Sequence, residues 1–292
     1  MFKNEPSRAL FVYGAQFILF WTLLLSVLIF FDASNKVSRA KAENPDFQIY
    51  DESFLGIDNF LLGWLFPKGQ ATLWLDTNEA IGPNSFIGKV YCEVLQVLYV
   101  SYYFWGNSIF VYFGLYKYFY LTLCKGENIQ HAKLQWRRLQ ILLTAWISVY
   151  MFNFLLNVAF PAVSPRIYLA AEYKNEPTGL YFGTMLRAAV RNAAAKTYSA
   201  FPSGHCGVSW LTVWLAYVSG MTRYYTVVAV SGALITLATL LLRYHYVADM
   251  LFAAPMMWAG VCFAGISSKK RFQELLYKKD PTAQSTVVLG DV

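Results

Sequence analysis

The sequence predicts an all-α polytopic membrane protein with six transmembrane helices and additional interfacial helices in its external loops. Of its 292 residues, 57% are hydrophobic and only 14% are charged, well below the roughly 25% charged residues of soluble domains. The apolar residues are concentrated in long stretches, each near the ~20 residues that a helical span needs. These stretches lie at about 9–31, 91–121, 139–160, 206–221, 225–242 and 247–266.

The six spans are expected to form one domain over residues 1–292, because no linker or low-complexity segment divides the chain. The first apolar stretch is about 23 residues long, whereas the apolar region of a signal peptide has 7 to 15. We therefore expect it to be retained as the first span.

Lys and Arg residues predict the orientation, since they are enriched in cytoplasmic loops. The segment between spans two and three and the C-terminal tail are both basic. With six crossings, both termini are then cytoplasmic, including the N-terminus with Lys3 and Arg8. The net charge of +7 mostly reflects this bias, so a nucleic acid is not an expected partner.

Two long external segments follow from this topology. Residues 32–90 contain short clusters of Leu, Trp and Phe, which favour interfacial helices lying on the bilayer surface; a re-entrant piece at a lipid entrance is the alternative. Residues 161–200 are basic, which indicates an anionic substrate or a loop translocated despite its charge. Their charged residues are Arg166, Lys174, Arg187, Arg191 and Lys196 against only Glu172 and Glu176.

The second span is unusually aromatic over residues 99–120. Core packing and an interfacial aromatic belt are the simpler interpretation, and rings flanking an acyl-chain groove are the alternative. Glu93 and Asn107 are polar groups within this span. Each is a candidate for an internal partner or for a substrate contact.

Two histidine motifs stand at the ends of apolar stretches: "FPSGH", which ends at His205, and "RYHYVAD", which contains His245. The 40 residues between the two histidines suit two crossings of about 20 residues each, so both should reach the same side of the membrane. Arg166 follows the outward end of span three and belongs to that side too. We expect these three residues to converge on one site at the non-cytoplasmic face.

The residues around the first histidine suit an anion. Ser203 can cap the helix that begins near Gly204, and the unpaired amides of a first helical turn bind phosphate groups. Gly204 has no side chain to obstruct the approach. Arg166 and Arg243 supply charge and fork-shaped donors for phosphate oxygens.

The residues around the second histidine suit nucleophilic chemistry. His245 and Asp249 are four residues apart and are therefore neighbours on one helical face. The carboxylate can accept the imidazole N–H, fix the tautomer and make the opposite ring nitrogen a better nucleophile.

The two motifs resemble the second and third signatures of the type-2 phosphatidic acid phosphatase (PAP2) superfamily, membrane branch. The residues that carry the resemblance are "PSGH" at 202–205 and "RYHYVAD" at 243–249. The "HYxxD" form and the "PAVSPR" segment are similar to the inositol-phosphorylceramide and sphingomyelin synthase-like members. The resemblance implies a six-helix fold with a core catalytic region at about 139–266.

The resemblance also implies an enzyme: an integral membrane lipid phosphatase or phosphotransferase. His245 would attack phosphorus to give a phosphohistidine, Asp249 would orient it, and His205 would protonate the leaving alkoxide. No metal or other cofactor is expected. The partners would be a lipid phosphate or phosphodiester and then water, a polyol or a lipid hydroxyl as acceptor. The implied phosphate-binding residues are Ser203, Gly204, Arg166 and Arg243.

The sequence departs from the family pattern at two positions. The first signature, a Lys followed seven residues later by Arg-Pro, is absent; Arg166 is the best substitute, with Lys196, Arg187 and Arg191 as alternatives. In the third signature an Arg six residues before the histidine is replaced by Thr239.

A non-enzymatic lipid or ion transporter, with intramembrane His and Arg as binding or relay groups, is the competing hypothesis. It predicts polar residues distributed through the spans. Spans four to six are nearly free of charge except at the His245 end, which favours the enzyme.

Overall fold

The structure, a computed structural model, describes residues 5–44, 46–124, 129–193 and 197–277. The predicted all-α membrane fold is confirmed over this part of the chain, where the only β-type pairing is an isolated bridge between Ala162 and Ser199. The helices are α1 Glu5–Ala42, α2 Asp51–Leu62, α3 Ala71–Thr77, α4 Phe86–Phe110, α5 Ile129–Ala159, α6 Pro165–Tyr168, α7 Phe182–Ala193, α8 Gly204–Val218, α9 Thr222–Leu241, α10 Val247–Phe263 and α11 Lys269–Tyr277.

Each of the six predicted spans coincides with one of the longer helices. Segments of α1, α5 and α9 are long and apolar enough to cross a membrane, with mean hydropathies of 2.2, 1.7 and 1.8. Helices α8 and α10 are shorter, at 15 and 17 residues. Helix α4 continues as a π-helix over Val111–Cys124. The exact number of six spans stays a prediction.

The long helices form one bundle around an apolar core. Helix α8 packs against α9, α10, α4 and α5, and α1 packs along α5. Ser38 and Lys41 near the end of α1 donate to the carbonyls of Asn157 and Val158 near the end of α5, at 3.1 and 2.9 Å. Helices α1 and α5 therefore end at the same side of the bundle.

The first external segment is folded onto that end of the bundle. One face of α2 is buried through Asp51, Phe54 and Asp58 and packs against the start of α10. Phe60 and Trp64, at and just beyond the end of α2, are 84% and 79% exposed. This pairing of a buried face with exposed aromatic side chains agrees with the predicted interfacial helix.

The second external segment lies beside the start of α4. Glu93 of α4 accepts hydrogen bonds from the N–H groups of Tyr181 and Gly183 at 3.0 and 2.9 Å, where α7 begins. The sequence left open whether Glu93 has an internal partner or contacts the substrate. The structure shows an internal partner, the backbone N–H groups at the start of α7. Asn107 likewise bonds within its own helix, donating to the carbonyl of Tyr103 at 2.8 Å.

Candidate active site

The first histidine motif forms the start of α8. Ser203 is the N-cap residue, and its hydroxyl accepts the N–H of Cys206 at 3.3 Å. The N–H of Ser203 donates to the carbonyl of Asp249 at 3.1 Å, which ties the two motifs together. The amides of Gly204 and His205 belong to the first helical turn, where backbone N–H groups have no intrahelical acceptor.

Helix α5 approaches the motif closely at Gly204. A Cβ atom at this position would lie 3.2 Å from the side-chain oxygen of Asn153, so glycine permits the approach. The amide of Asn153 donates to the carbonyl of Pro202 at 2.8 Å. The end of α5 therefore fixes the turn that precedes His205.

The imidazole of His205 is held by aromatic rings. The ring centroids of Tyr99 and Tyr102, on α4, each lie 4.4 Å from that of His205. The Nε2 atom of His205 is buried and has no hydrogen-bond partner among the residues that the structure describes. The aromatic character of span two thus serves in part to surround this histidine.

The second histidine is held by hydrogen bonds. His245 Nδ1 lies 2.8 Å from the carbonyl oxygen of Ala200 and 3.1 Å from Asp249 Oδ2. Both partners are acceptors, so Nδ1 carries the hydrogen and Nε2 keeps its lone pair. Asp249 Oδ2 also accepts the N–H of Tyr246 at 2.9 Å, which fixes the carboxylate at the start of α10.

The structure brings the two histidines together. The ring centroids of His205 and His245 are 5.9 Å apart, although 40 residues separate them. His245 is 7% exposed. This arrangement places one ring nitrogen with a lone pair near a second imidazole that can exchange a proton, the combination that phosphoryl transfer through a covalent intermediate needs.

Two arginines lie beside Tyr244, the residue that precedes His245. The guanidinium carbons of Arg166 and Arg187 are 5.5 and 5.6 Å from the ring centroid of Tyr244. The Tyr244 ring in turn lies 4.4 Å from that of Tyr99, which contacts His205. The structure therefore places Arg166, the predicted residue, and Arg187, one of its alternatives, close together at this end of the bundle.

The two guanidinium groups differ in how they are held. Arg187 is 3% exposed and donates to Glu176 and to the carbonyl of Leu242, both at 3.2 Å. Burial lowers the pKa of Arg166 below its ordinary value; Tyr244 opposes this and Arg187 adds to it. An arginine with a lowered pKa is still protonated at neutral pH, so both side chains contribute positive charge.

Arg243 has other partners. Its guanidinium lies 2.7 Å from Asp76 and 2.8 Å from the carbonyl of Asn175, and its carbon is 3.7 Å from the ring centroid of Tyr173. Its backbone is left-handed, with φ of 66°, a conformation that costs a non-glycine residue roughly 1–2 kcal/mol. The side chain of Arg243 is thus engaged by Asp76 and Asn175, whereas the guanidinium of Arg187 lies beside the ring of Tyr244.

The remaining candidates are Arg191, Lys196 and Thr239. Arg191 is exposed and lies 3.7 Å from Glu176. Lys196 falls outside the described residues. Thr239 is fully buried, and its carbonyl accepts the N–H groups of Tyr244 and His245 at 2.9 and 3.1 Å. Thr239 therefore shapes the turn that presents His245.

Sequence reasoning missed three acidic residues that contact this region. Asp51, Asp58 and Asp76 are each at most 4% exposed. All three come from the first external segment, and all three bond to residues 163–248. The sequence predicted only that the segment containing these three residues is interfacial. No motif identified the three carboxylates as partners of residues near the histidines.

The all-helical membrane fold and the paired histidine motifs define a class of membrane-embedded proteins that carry two histidines at one end of a helix bundle. The PAP2 superfamily model matches residues 98–263, more than half of the chain. The chain belongs to the PAP2 superfamily.

A PA-phosphatase related-family protein of Dictyostelium discoideum is similar to the chain. The two are 34% identical over 255 residues, which cover 86% of this chain and 46% of that protein. The chain thus spans about half the length of this curated relative. No solved structure matches the chain.

Proposed function

We propose that this protein is an integral membrane lipid phosphatase or phosphotransferase that acts on a lipid phosphate or phosphodiester through a phosphohistidine at His245. One observation carries the proposal. His245 donates from Nδ1 to Ala200 and Asp249, which leaves Nε2 as the nucleophilic atom, 5.9 Å between ring centroids from His205.

In the first step, the Nε2 lone pair of His245 attacks phosphorus. The N–P bond forms as the bond from phosphorus to the leaving oxygen breaks, and protonated His205 gives its proton to that oxygen. The developing positive charge on the His245 ring is stabilised by Asp249 through Nδ1, at 3.1 Å. The product is a phosphohistidine and an alcohol.

In the second step, water or the hydroxyl of an acceptor attacks the same phosphorus. Neutral His205 takes the proton of the attacking oxygen, the N–P bond breaks, and His245 recovers its lone pair. Hydrolysis and transfer differ only in which hydroxyl enters. The similarity to transferase-like family members supports a polyol or lipid hydroxyl as an alternative to water.

The phosphate oxygens would be held by charge and by backbone amides. Arg166, Arg187 and the amides of Gly204 and His205 are the groups that the geometry favours, with Ser203 holding the helix start in place. Donors fixed before the reaction stabilise charge that builds in the transition state. Arg243 and Lys196 are the further basic candidates.

The proposal includes a location. The site would face the non-cytoplasmic side and both termini the cytoplasm, as the basic loops indicate. The two histidine motifs and Arg166 lie at the bundle end onto which both external segments fold, which supports placing the site on the external side.

The experiment is product analysis by mass spectrometry. Detergent-solubilised protein is offered short-chain lipid phosphates and phosphodiesters, with and without polyol or ceramide acceptors. Free phosphate indicates hydrolysis, and a new headgroup-bearing lipid indicates transfer. We expect His245→Ala to lower the rate by at least about 10³-fold, since removal of a covalent nucleophile is among the most damaging changes.

The control is His131→Ala, the third histidine of the chain, which should behave as the wild type. Normal turnover by the His245→Ala variant would refute the phosphohistidine. A wild type that turns over none of the substrates, yet binds lipid or ions, would favour the transporter.

A further inference from the structure

We propose that α2, in the external segment between the first two spans, is the positioning element for His245, and that Asp58 is its main positioning residue. The inference rests on the proposed function, in which His245 is the nucleophile. Helix α2 lies outside residues 98–263, which the family model matches. The role is therefore assigned from the contacts of this chain.

Asp58 caps a helix other than its own. Its Oδ2 accepts the N–H of Val247 at 2.9 Å and its Oδ1 accepts that of Ala248 at 2.8 Å. These are the first two amides of α10, which begins two residues after His245. A buried carboxylate at a helix N-terminus satisfies orphan donors and is favoured by the helix dipole. Gln70 donates to the same carboxylate at 2.6 Å.

Asp51 holds the residue between His245 and α10. Its Oδ1 accepts the hydroxyl hydrogen of Tyr246 at 2.8 Å, and its Oδ2 accepts the N–H of Val163 at 3.1 Å. Asp51 and Asp58 are seven residues apart, so they share one face of α2. That face therefore contacts residues 246, 247 and 248 in succession.

The same face also holds the first histidine motif. Phe54 stacks on Phe201, with ring centroids 4.2 Å apart and planes at 16°. Phe201 follows Ala200, whose carbonyl accepts the Nδ1 hydrogen of His245. Helix α2 therefore contacts both chain segments that define the orientation of the His245 ring, the one that carries the ring and the one that carries its acceptor.

Loss of the contacts made by α2 would affect the orientation of the His245 imidazole. If the start of α10 moves relative to Ala200, the two acceptors at Nδ1 no longer converge, and the ring is free to rotate or to change tautomer. A misplacement of about 1 Å can cost ~10²-fold in rate without any loss of binding. Asp58 thus acts through His245 and does not itself touch the substrate.

The test uses the full-length protein in detergent, labelled with ¹⁵N-histidine. The chain has only three histidines, so few imidazole signals must be assigned. Wild type should show His245 with a protonated Nδ1 and an unprotonated Nε2. Asp58→Asn keeps the side-chain shape but offers one oxygen to three donors, so the His245 signals should shift toward a mixture of tautomers.

Kinetics on short-chain phosphatidic acid supply the second readout. We expect Asp58→Asn to lower kcat by about 10-fold or more, with KM within about twofold of wild type, as misorientation of a reacting group predicts. Glu52→Gln, which changes an exposed acid of the same helix, is the matched control and should leave both readouts unchanged.

Tyr246→Phe keeps the test decisive if Asp58→Asn does not fold. It removes only the hydroxyl that donates to Asp51, and it should shift the His245 signals in the same direction by a smaller amount. Unchanged His245 signals and a kcat within twofold of wild type in a folded Asp58→Asn or Tyr246→Phe variant would overturn the inference. Shifted signals in a protein that turns over no phosphate ester would support the positioning role and sink the proposed function instead.

Discussion

The two histidines of the candidate site are held in different ways. His245 is fixed by two acceptors at Nδ1, whereas His205 is held by the rings of Tyr99 and Tyr102. The rings of Tyr99 and Tyr102 fix the position of the His205 imidazole, and its Nε2 atom has no hydrogen-bond partner among the described residues. The His245 ring is thus held by hydrogen bonds at one nitrogen, whereas the His205 ring keeps a nitrogen that has no partner among the described residues.

At the same scale, Asp249→Asn should lower kcat by about 10- to 100-fold. The amide cannot stabilise a positive charge on His245, but the carbonyl of Ala200 still holds the Nδ1 hydrogen at 2.8 Å. The tautomer survives, so the loss should be smaller than the ~10⁴-fold seen where the orienting carboxylate is the only acceptor. Steady-state kinetics at saturating substrate measure this effect. A loss above about 10⁴-fold would show that Ala200 does not hold the ring.

Arg243→Met should destabilise the protein by about 3–5 kcal/mol, because it leaves Asp76 buried without its cation. The two groups are 2.7 Å apart, with side chains 4% and 1% exposed. Thermal unfolding in detergent measures the loss, and KM at a permissive temperature should stay within twofold of wild type. Lys68→Met is the control, because it breaks a more exposed ion pair with Glu172 that should contribute less than about 1 kcal/mol. A large rise in KM for Arg243→Met would instead assign this arginine to the substrate.

At the scale of elements, α2 is a helix whose two faces have different tasks. Its buried face carries two carboxylates to the start of α10, and its far end exposes Phe60 and nearby Trp64. In its predicted interfacial position, the helix would link the membrane surface to the loop that carries His245. Movement of the bilayer interface relative to the bundle would act directly on that loop.

The acid at the start of α2 predicts a pH dependence of stability. Burial raises the pKa of Asp51 from 3.8 to about 6, and the hydrogen bonds from Tyr246 and Val163 only partly oppose this. The folded protein therefore holds this proton more tightly than the unfolded chain. The contribution of Asp51 to stability is fully present below about pH 4 and is lost as the pH rises through about 6.

Two pKa units correspond to about 3 kcal/mol, so this is the upper limit of the effect between pH 4 and pH 7. Asp51→Asn should remove this part of the pH dependence, because the amide does not ionise. Melting temperatures in detergent across that range measure it. The pKa of Asp58 is also raised by burial, so some slope should remain. An unchanged slope in Asp51→Asn would contradict the prediction.

At the scale of the whole molecule, the predicted topology gives opposite accessibility to two exposed positions. Glu79 follows α3 in the predicted external segment, and Lys270 is the second residue of α11. With the four native cysteines replaced, a membrane-impermeant maleimide should label Glu79→Cys in intact cells and Lys270→Cys only after permeabilisation. The reverse pattern would invert the proposed orientation and place the histidine motifs on the cytoplasmic side.

Local spacing and span length were enough to predict part of this molecule. The four-residue spacing of His245 and Asp249 gives a shared helical face, and two crossings of about 20 residues return His205 and His245 to one end. The 5.9 Å between their rings agrees with that reasoning. Apolar stretches about as long as a membrane-spanning helix likewise predicted the positions of the six longer helices.

Other parts depend on contacts that span most of the chain. Nothing local distinguishes Asp58, which caps α10, from Glu52, which is exposed on the same helix. The partner of Arg243 could not be read from the sequence, because Asp76 is 167 residues away. The contact between Arg187 and Tyr244 likewise joins residues that are far apart in the chain. These long-range contacts depend on how the two segments between the spans pack against one end of the helix bundle.

The wide separation of these pairs also has a consequence for biosynthesis. Asp51, Asp58 and Asp76 leave the ribosome early, but their partners at Tyr246, Val247 and Arg243 follow 167 to 195 residues later. The three carboxylates therefore lack these partners until residues 243–247 have been synthesised. A chain truncated before residue 243 leaves those three carboxylates without these partners, so we expect the truncated protein to be degraded.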